Sequence, residues 1–187
     1  MSLTKILDNF YLGSYNDIIK EYYKKFDIDV VINVAHECKN YTENVIYFHY
    51  PFYDIPTEDV YDKFTEISNL IDHYRKSNKN VLIHCSAGKS RSVSFVIAYL
   101  IKYADYTFNN AYDYLFAIRD IYINMGFINQ LVKFEKEITG KSTLDFDKVA
   151  INYIHDSTGF KSREQVKLIY YDCNKDIDLI MKQIYNS

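Results

Sequence analysis

Apolar positions along the chain fall into two kinds of run. Asp29-Val30-Val31-Ile32-Asn33, Val45-Ile46-Tyr47-Phe48 and Val81-Leu82-Ile83-His84 are short, rich in β-branched residues and bounded by polar clusters, which predicts buried strands. Longer patterns lie between and after them. Val60, Phe64, Ile67, Leu70, Ile71 and Tyr74 recur at steps of three and four, so one apolar stripe runs along a helix of about four turns. The stretch from Val93 to Ile101 is apolar nearly all round, as in a helix buried at the centre of a domain. Amphipathic stretches follow over 109–122 and 127–138. Strands alternating with helices predict an α/β fold.

At Thr139-Gly140-Lys141-Ser142-Thr143 small and polar residues interrupt the periodicity, and the domain boundary is expected there, with one domain over 1–140 and a small helical bundle over 144–187. The tail carries three short amphipathic stretches, 145–155, 162–173 and 176–185. Ser162-Arg163-Glu164-Gln165 reads as a capping box opening the second. Helices this short are stable only when packed together.

The length of 187 residues allows one full core and a small appended module. A net charge of −3, spread without a basic block, gives no electrostatic footprint for a nucleic-acid partner. Three cysteines without a pairing pattern suit a reducing compartment better than a disulfide framework. The first ten residues lack an apolar signal core, and Ser2 stands where a myristoylation signal needs Gly, so no membrane anchor and an intracellular setting, cytoplasmic or nuclear, are expected. Asn40-Tyr41-Thr42 fits the glycosylation acceptor pattern, which carries no weight without a secretory signal.

The chemistry concentrates in His84-Cys85-Ser86-Ala87-Gly88-Lys89-Ser90-Arg91-Ser92, between a predicted strand and the predicted buried helix. A strand that turns into a helix through a short Gly-containing loop points successive backbone N–H groups inward and forms an anion nest at the positive end of the helix. A phosphate fits such a nest. The same field favours a thiolate, so a cysteine there attacks phosphorus without a separate base. Arg91 can reach back and hold two phosphate oxygens with its planar fork. Ser92 can donate its hydroxyl to the Cys85 sulfur, His84 can hydrogen-bond within the loop, and Gly88 allows a turn that a side chain would obstruct. A lone cysteine in a strand is most often an inert core residue; here the whole loop agrees with one chemistry.

This His-Cys-x-x-Gly-x-x-Arg-Ser segment resembles the signature of the protein tyrosine phosphatases, and its Ala87 and Ser90 resemble the dual-specificity branch. The resemblance extends over 4–138, through Ile6-Leu7, Phe10-Tyr11-Leu12-Gly13-Ser14, Val31-Ile32-Asn33-Val34, Arg119, Asn124-Met125-Gly126-Phe127 and Gln130-Leu131, with Ile123 where that branch usually has proline. It implies a central mixed β-sheet flanked by helices and a protein phosphatase acting on phosphotyrosine and phosphoserine/threonine through a phosphocysteine on Cys85. Ser86, Ala87, Gly88, Lys89, Ser90 and Arg91 would bind the phosphate. By the same resemblance Asp54 is the general acid, with Glu58 and Asp59 as competitors better suited to the start of the following helix. No metal and no cofactor are implied, and His36, His49 and His73 lack ligand spacing.

Other readings stay open. Lys89 would add positive potential that suits doubly charged or lipid phosphates, and Cys38 is a candidate resolving thiol set against a packing role. Phosphoinositides and RNA 5′-phosphates are alternative substrates of the same loop, and a catalytically weak phosphoprotein-binding adaptor is the alternative outside enzymes. The tail, with Thr158-Gly159-Phe160 and Asp176-Ile177-Asp178, resembles ubiquitin-associated domains, which implies ubiquitin or another protein as a partner, docked on Phe160 and the last helix.

Overall fold

A computed structural model describes residues 3–40, 42–160 and 162–185; Ser2 and Tyr41, the middle of the acceptor triplet, lie outside them. The described chain divides into two compact units, one ending at Thr143 and one beginning at Leu144.

The first unit opens with the hairpin β1 (Thr4–Leu7) and β2 (Phe10–Ser14), then two short helices, α1 (Tyr15–Ile19) and α2 (Tyr22–Lys25). Next come β3 (Val30–Asn33), β4 (Ile46–His49), α3 (Tyr61–Lys76), β5 (Val81–Cys85), α4 (Arg91–Tyr103), α5 (Phe108–Ile118) and α6 (Met125–Thr139). The five strands lie in the order β1-β2-β5-β3-β4, with the β1–β2 pair antiparallel and the rest parallel. The sheet is therefore mixed, and helices flank it as the sequence predicts.

Every residue of β3 and β5 is buried, which is why their runs read as continuous rather than alternating. On one face Val31 and Leu82 pack with Ile18 of α1 and Tyr23 of α2. On the other, α4 packs between α3 and α6, joined by the rings of Phe64, Phe95 and Phe134. The predicted helix over 60–74 becomes α3, and the all-round apolar run becomes α4, buried from Arg91 to Ile101. The strand β5 sits between β2 and β3, where the strand order switches direction, so its carboxyl end opens into the crevice in which such sheets bind ligands.

Two expectations need correction. The short helices α1 and α2 were not anticipated, and the stretch over 109–122 does not stay helical: α5 stops at Ile118, and Arg119 is extended at φ −152°, ψ 145°. The cause is tertiary. The Arg119 guanidinium donates to the Gly88 carbonyl, and Tyr122 N–H donates to the Lys89 carbonyl, so this segment exchanges helical bonds for bonds to the loop after β5.

The second unit holds α7 (Phe146–Thr158), α8 (Arg163–Asp172) and α9 (Ile177–Tyr185) around Ile151, Ile154, Val166, Tyr170, Cys173, Ile180 and Ile184. Ser162 stands at the N-cap of α8 as the capping-box reading places it, but its side chain makes no capping bond. Phe160, expected on a docking surface, is partly buried against the unit's own core. Among the described residues no helix is long and apolar enough to cross a membrane.

Candidate active site

Cys85 is the last residue of β5 and Arg91 the first of α4, so the five residues between them form the predicted strand-to-helix loop. The loop is held from outside. Tyr15 N–H donates to the Ser86 carbonyl at 2.9 Å, and Arg119 Nε to the Gly88 carbonyl at 2.7 Å. Gly88 lies at φ +68°, and a Cβ there would sit 2.3 Å from Arg119 Nη2 and 2.5 Å from the Gly13 carbonyl oxygen. Only glycine combines that backbone with that closeness. With its carbonyls drawn outward, the loop turns donors toward the sulfur: Gly88 N–H lies 3.3 Å and the Ser92 hydroxyl 3.1 Å from Cys85 Sγ. His84 lies beneath with Nδ1 3.3 Å from the Cys85 carbonyl oxygen, and burial pushes its pKa down to about 4.

The Arg91 side chain is only 5% exposed, and its five N–H donors can be accounted for individually. Nη1 donates to Glu37 Oε2 at 2.6 Å and to the Phe52 carbonyl at 2.9 Å, and Nη2 donates to Glu37 Oε1 at 2.6 Å. Nε makes no hydrogen bond, although Asp54 Oδ2 lies 3.5 Å from it. Two adjacent donors remain, Nε–H and the second Nη2–H, along the edge that faces Asp54. The guanidinium beside Glu37 holds its carboxyl well below the usual range, at about 2.

Asp54 stands on the segment after β4 and turns its carboxylate to the same loop. Its Oδ1 accepts from the Ser90 hydroxyl at 2.7 Å and from Asn124 Nδ2 at 2.8 Å. Asn124 also caps α6 by accepting from Phe127 N–H, so the start of that helix and the segment that carries Asp54 are built as one piece. Gly126 permits the contact, since a Cβ there would meet the Pro56 carbonyl oxygen at 1.9 Å. Ile123, in the usual proline position, is buried and the turn closes without proline.

Glu58 and Asp59 lie apart from this arrangement. The Glu58 carbonyl and the Val60 N–H are both held by the Gln130 amide, and Asp59 accepts from Tyr61 N–H at the start of α3, the helix-end role expected of it. Lys89 does not turn its ammonium to the loop's interior but pairs with Asp120. Cys38 is buried, and burial, with Glu37 beside it, pushes its thiol up to about 11. His36 stacks on Tyr53 and His49 contacts the Ala35 carbonyl, and no group of three metal-ligating side chains is assembled among the described residues. Glu37, Asn124 and the Phe52 carbonyl are the contributors that sequence reading missed. The signal available for Asn124 was its place in the family-like block, whereas nothing local marked Glu37.

The family model described as dual specificity phosphatase, catalytic domain, matches residues 10–137. The chain belongs to this family of cysteine-based protein phosphatases. It is 31% identical to the 123R protein of Invertebrate iridescent virus 6, named as a tyrosine phosphatase, over 73% of this chain and 94% of that one. It is 35% identical to human dual specificity protein phosphatase 9, over 72% of this chain and 36% of that protein. The fold is similar to that of a human DUSP28 variant, with a TM-score of 0.71 at 22% identity, over 75% of this chain and 98% of that one. The chain thus spans nearly the whole of its viral relative but about a third of the human enzyme.

Proposed function

We propose that this protein hydrolyses phosphoprotein monoesters, at tyrosine and at serine or threonine, through a phosphocysteine on Cys85. The observation that carries the reading is the pair of free Arg91 donors standing beside a sulfur that already receives two hydrogen bonds. In the first step Cys85 Sγ attacks phosphorus, the S–P bond forms, and the ester P–O bond breaks. Asp54 gives its proton to the departing oxygen. In the second step water attacks phosphorus, Asp54 takes a proton from it, and the S–P bond breaks to release inorganic phosphate.

Arg91 and the N–H groups of residues 86–90 hold the three equatorial oxygens and gain most as charge spreads in the transition state. Ser92 eases departure of the sulfur by donating to it, and neutral His84 supports the loop from below. The position of Asp54, on the same edge of Arg91 as the free donors, supports its role as the acid. Lys89 supports protein over phosphoinositide substrates, because its charge is matched by Asp120 rather than offered to extra phosphates.

The test is hydrolysis of a small aryl phosphate across pH without added metal, followed by a panel of phosphopeptides, phosphoinositides and RNA 5′-phosphate ends. Cys85→Ser is expected to abolish turnover. Asp54→Asn is expected to lower kcat by about a hundredfold and remove the limb of the pH profile that requires the protonated acid. Activity retained by Cys85→Ser overturns the mechanism. An inert wild type that still binds phosphopeptides moves the adaptor reading to first place.

A further inference from the structure

Asp17 is a fully buried carboxylate that the proposed chemistry does not use. Its Oδ2 accepts from Ser14 N–H at 2.8 Å and from the Ser14 hydroxyl at 2.7 Å, and that hydroxyl accepts in turn from Asp17 N–H, closing a capping box at the start of α1. The box sits against the loop after β5. Ser14 lies opposite Cys85 in the β2–β5 register, and the next residue, Tyr15, donates its N–H to the Ser86 carbonyl. Asp17 Oδ1 is buried and makes no hydrogen bond. An asparagine would close the same box with its amide oxygen, so capping accounts for the shape of this residue and not for its charge. A buried charge is costly unless an opposite charge answers it.

The answering charge is Arg119. Asp17 Oδ2 lies 3.7 Å from the point a Cβ on Gly13 would occupy, while a Cβ on Gly88 would meet both the Gly13 carbonyl and Arg119 Nη2, so carboxylate and guanidinium converge on Gly13. Arg119 is buried, and its own hydrogen bonds go to neutral oxygens, the Gly88 carbonyl and the Thr4 hydroxyl. Burial holds the guanidinium below its ordinary pKa, and the negative charges of Asp17, Cys85 and Asp120 work against that penalty. His84, which also feels Asp17, is kept neutral by burial; Arg91 and Cys38 are the other ionisable groups that feel Cys85.

We infer that Asp17 is a positioning residue that serves as a counter-charge behind the phosphate loop: it offsets part of the Arg119 charge and so limits how strongly the loop holds the Cys85 thiolate and a bound oxyanion. The inference rests on the phosphatase reading given above. A thiolate held too firmly is a weaker nucleophile, and product phosphate held too firmly leaves slowly. Asp17 moderates both.

The experiment measures the pH midpoint for alkylation of Cys85 by iodoacetamide, read at that residue by peptide mass, and the Kd for tungstate, a phosphate-like oxyanion, in the wild type, Asp17→Asn, Asp17→Glu and Ser14→Ala. Asp17→Asn is expected to lower the midpoint by about half a unit or more and to tighten tungstate about threefold or more, since one repelling charge is gone. Asp17→Glu, which keeps the charge, is expected to stay nearer the wild type on both. Ser14→Ala breaks the box and keeps the charge. A purely structural role for Asp17 makes Ser14→Ala and Asp17→Asn behave alike, with a raised midpoint and weaker tungstate as the loop loosens. An unchanged or raised midpoint in Asp17→Asn, or weaker tungstate, overturns the inference. If that variant does not fold, Asp17→Ser replaces it, with the same expected signs and the same overturning result. Neither readout needs turnover. A wild type that binds tungstate but hydrolyses nothing defeats the phosphatase reading, while shifts of the expected sign still uphold the counter-charge and their absence rejects it. A wild type with an ordinary thiol midpoint and no tungstate binding overturns both.

Discussion

Gly88 and His84 show how single residues hold the loop in place. At φ +68°, with the Gly13 carbonyl and the Arg119 guanidinium in the way of any Cβ, Gly88→Ala forces both a strained backbone and an overlap. It is expected to cost more than about 2 kcal/mol of stability and to abolish tungstate binding; calorimetric binding that survives in a folded Gly88→Ala protein would contradict the packing argument. His84 gives a pH dependence. Its pKa falls from an ordinary 6.5 to about 4 on folding because burial disfavours the charged ring. The unfolded chain therefore takes up this proton first as pH falls, and stability is lost between pH 6.5 and about 4, by up to about 3 kcal/mol. Glu37 acts in the same direction at lower pH: its stabilising pair with Arg91 is fully present above about 4.5 and is lost as pH falls through about 2. Urea midpoints measured at pH 7.5 and pH 5 are expected to differ, and to differ less in His84→Gln. Equal midpoints in the wild type would argue against a neutral buried His84.

At the scale of elements, the segment that carries Asp54 and the start of α6 behave as one piece, joined by Asn124, Gly126 and Gln130. Gly126→Ala places a methyl group on the Pro56 carbonyl and must push the two apart. It is expected to lower kcat by about tenfold or more, as misplacement of a catalytic group by about 1 Å does, while leaving tungstate affinity close to the wild type. A matched loss of both would place the damage in the loop after β5 instead. The strands β3 and β5 and the helices α3 and α4 were legible in the sequence because their apolar periods are unmixed. The end of α5 was not, because what stops it is a bond from Arg119 to a residue 31 positions away, and no local signal carries that. The short α1 and α2 fall below the length at which periodicity speaks. In the site, the loop was legible as a contiguous motif. Glu37 was not, since its meaning depends on a guanidinium 54 positions later in the chain.

For the whole molecule, the first unit contains Asp54, Cys85 and Arg91, and the second unit has a core of its own. We expect residues 1–143 alone to hydrolyse aryl phosphates within about twofold of the full chain, because no element of the proposed chemistry lies beyond Thr143. A large loss of activity on truncation would assign the second unit a part in catalysis. Passage of the phosphoryl group through Cys85 is tested by acid-quenching the enzyme during turnover of an aryl phosphate and reading the intact mass and the modified residue. A phosphoryl adduct is expected on Cys85, more abundant in Asp54→Asn if water activation slows more than attack, and absent from Cys85→Ser; steady turnover with no adduct at Cys85, or turnover undiminished in Cys85→Ser, would contradict a phosphocysteine route.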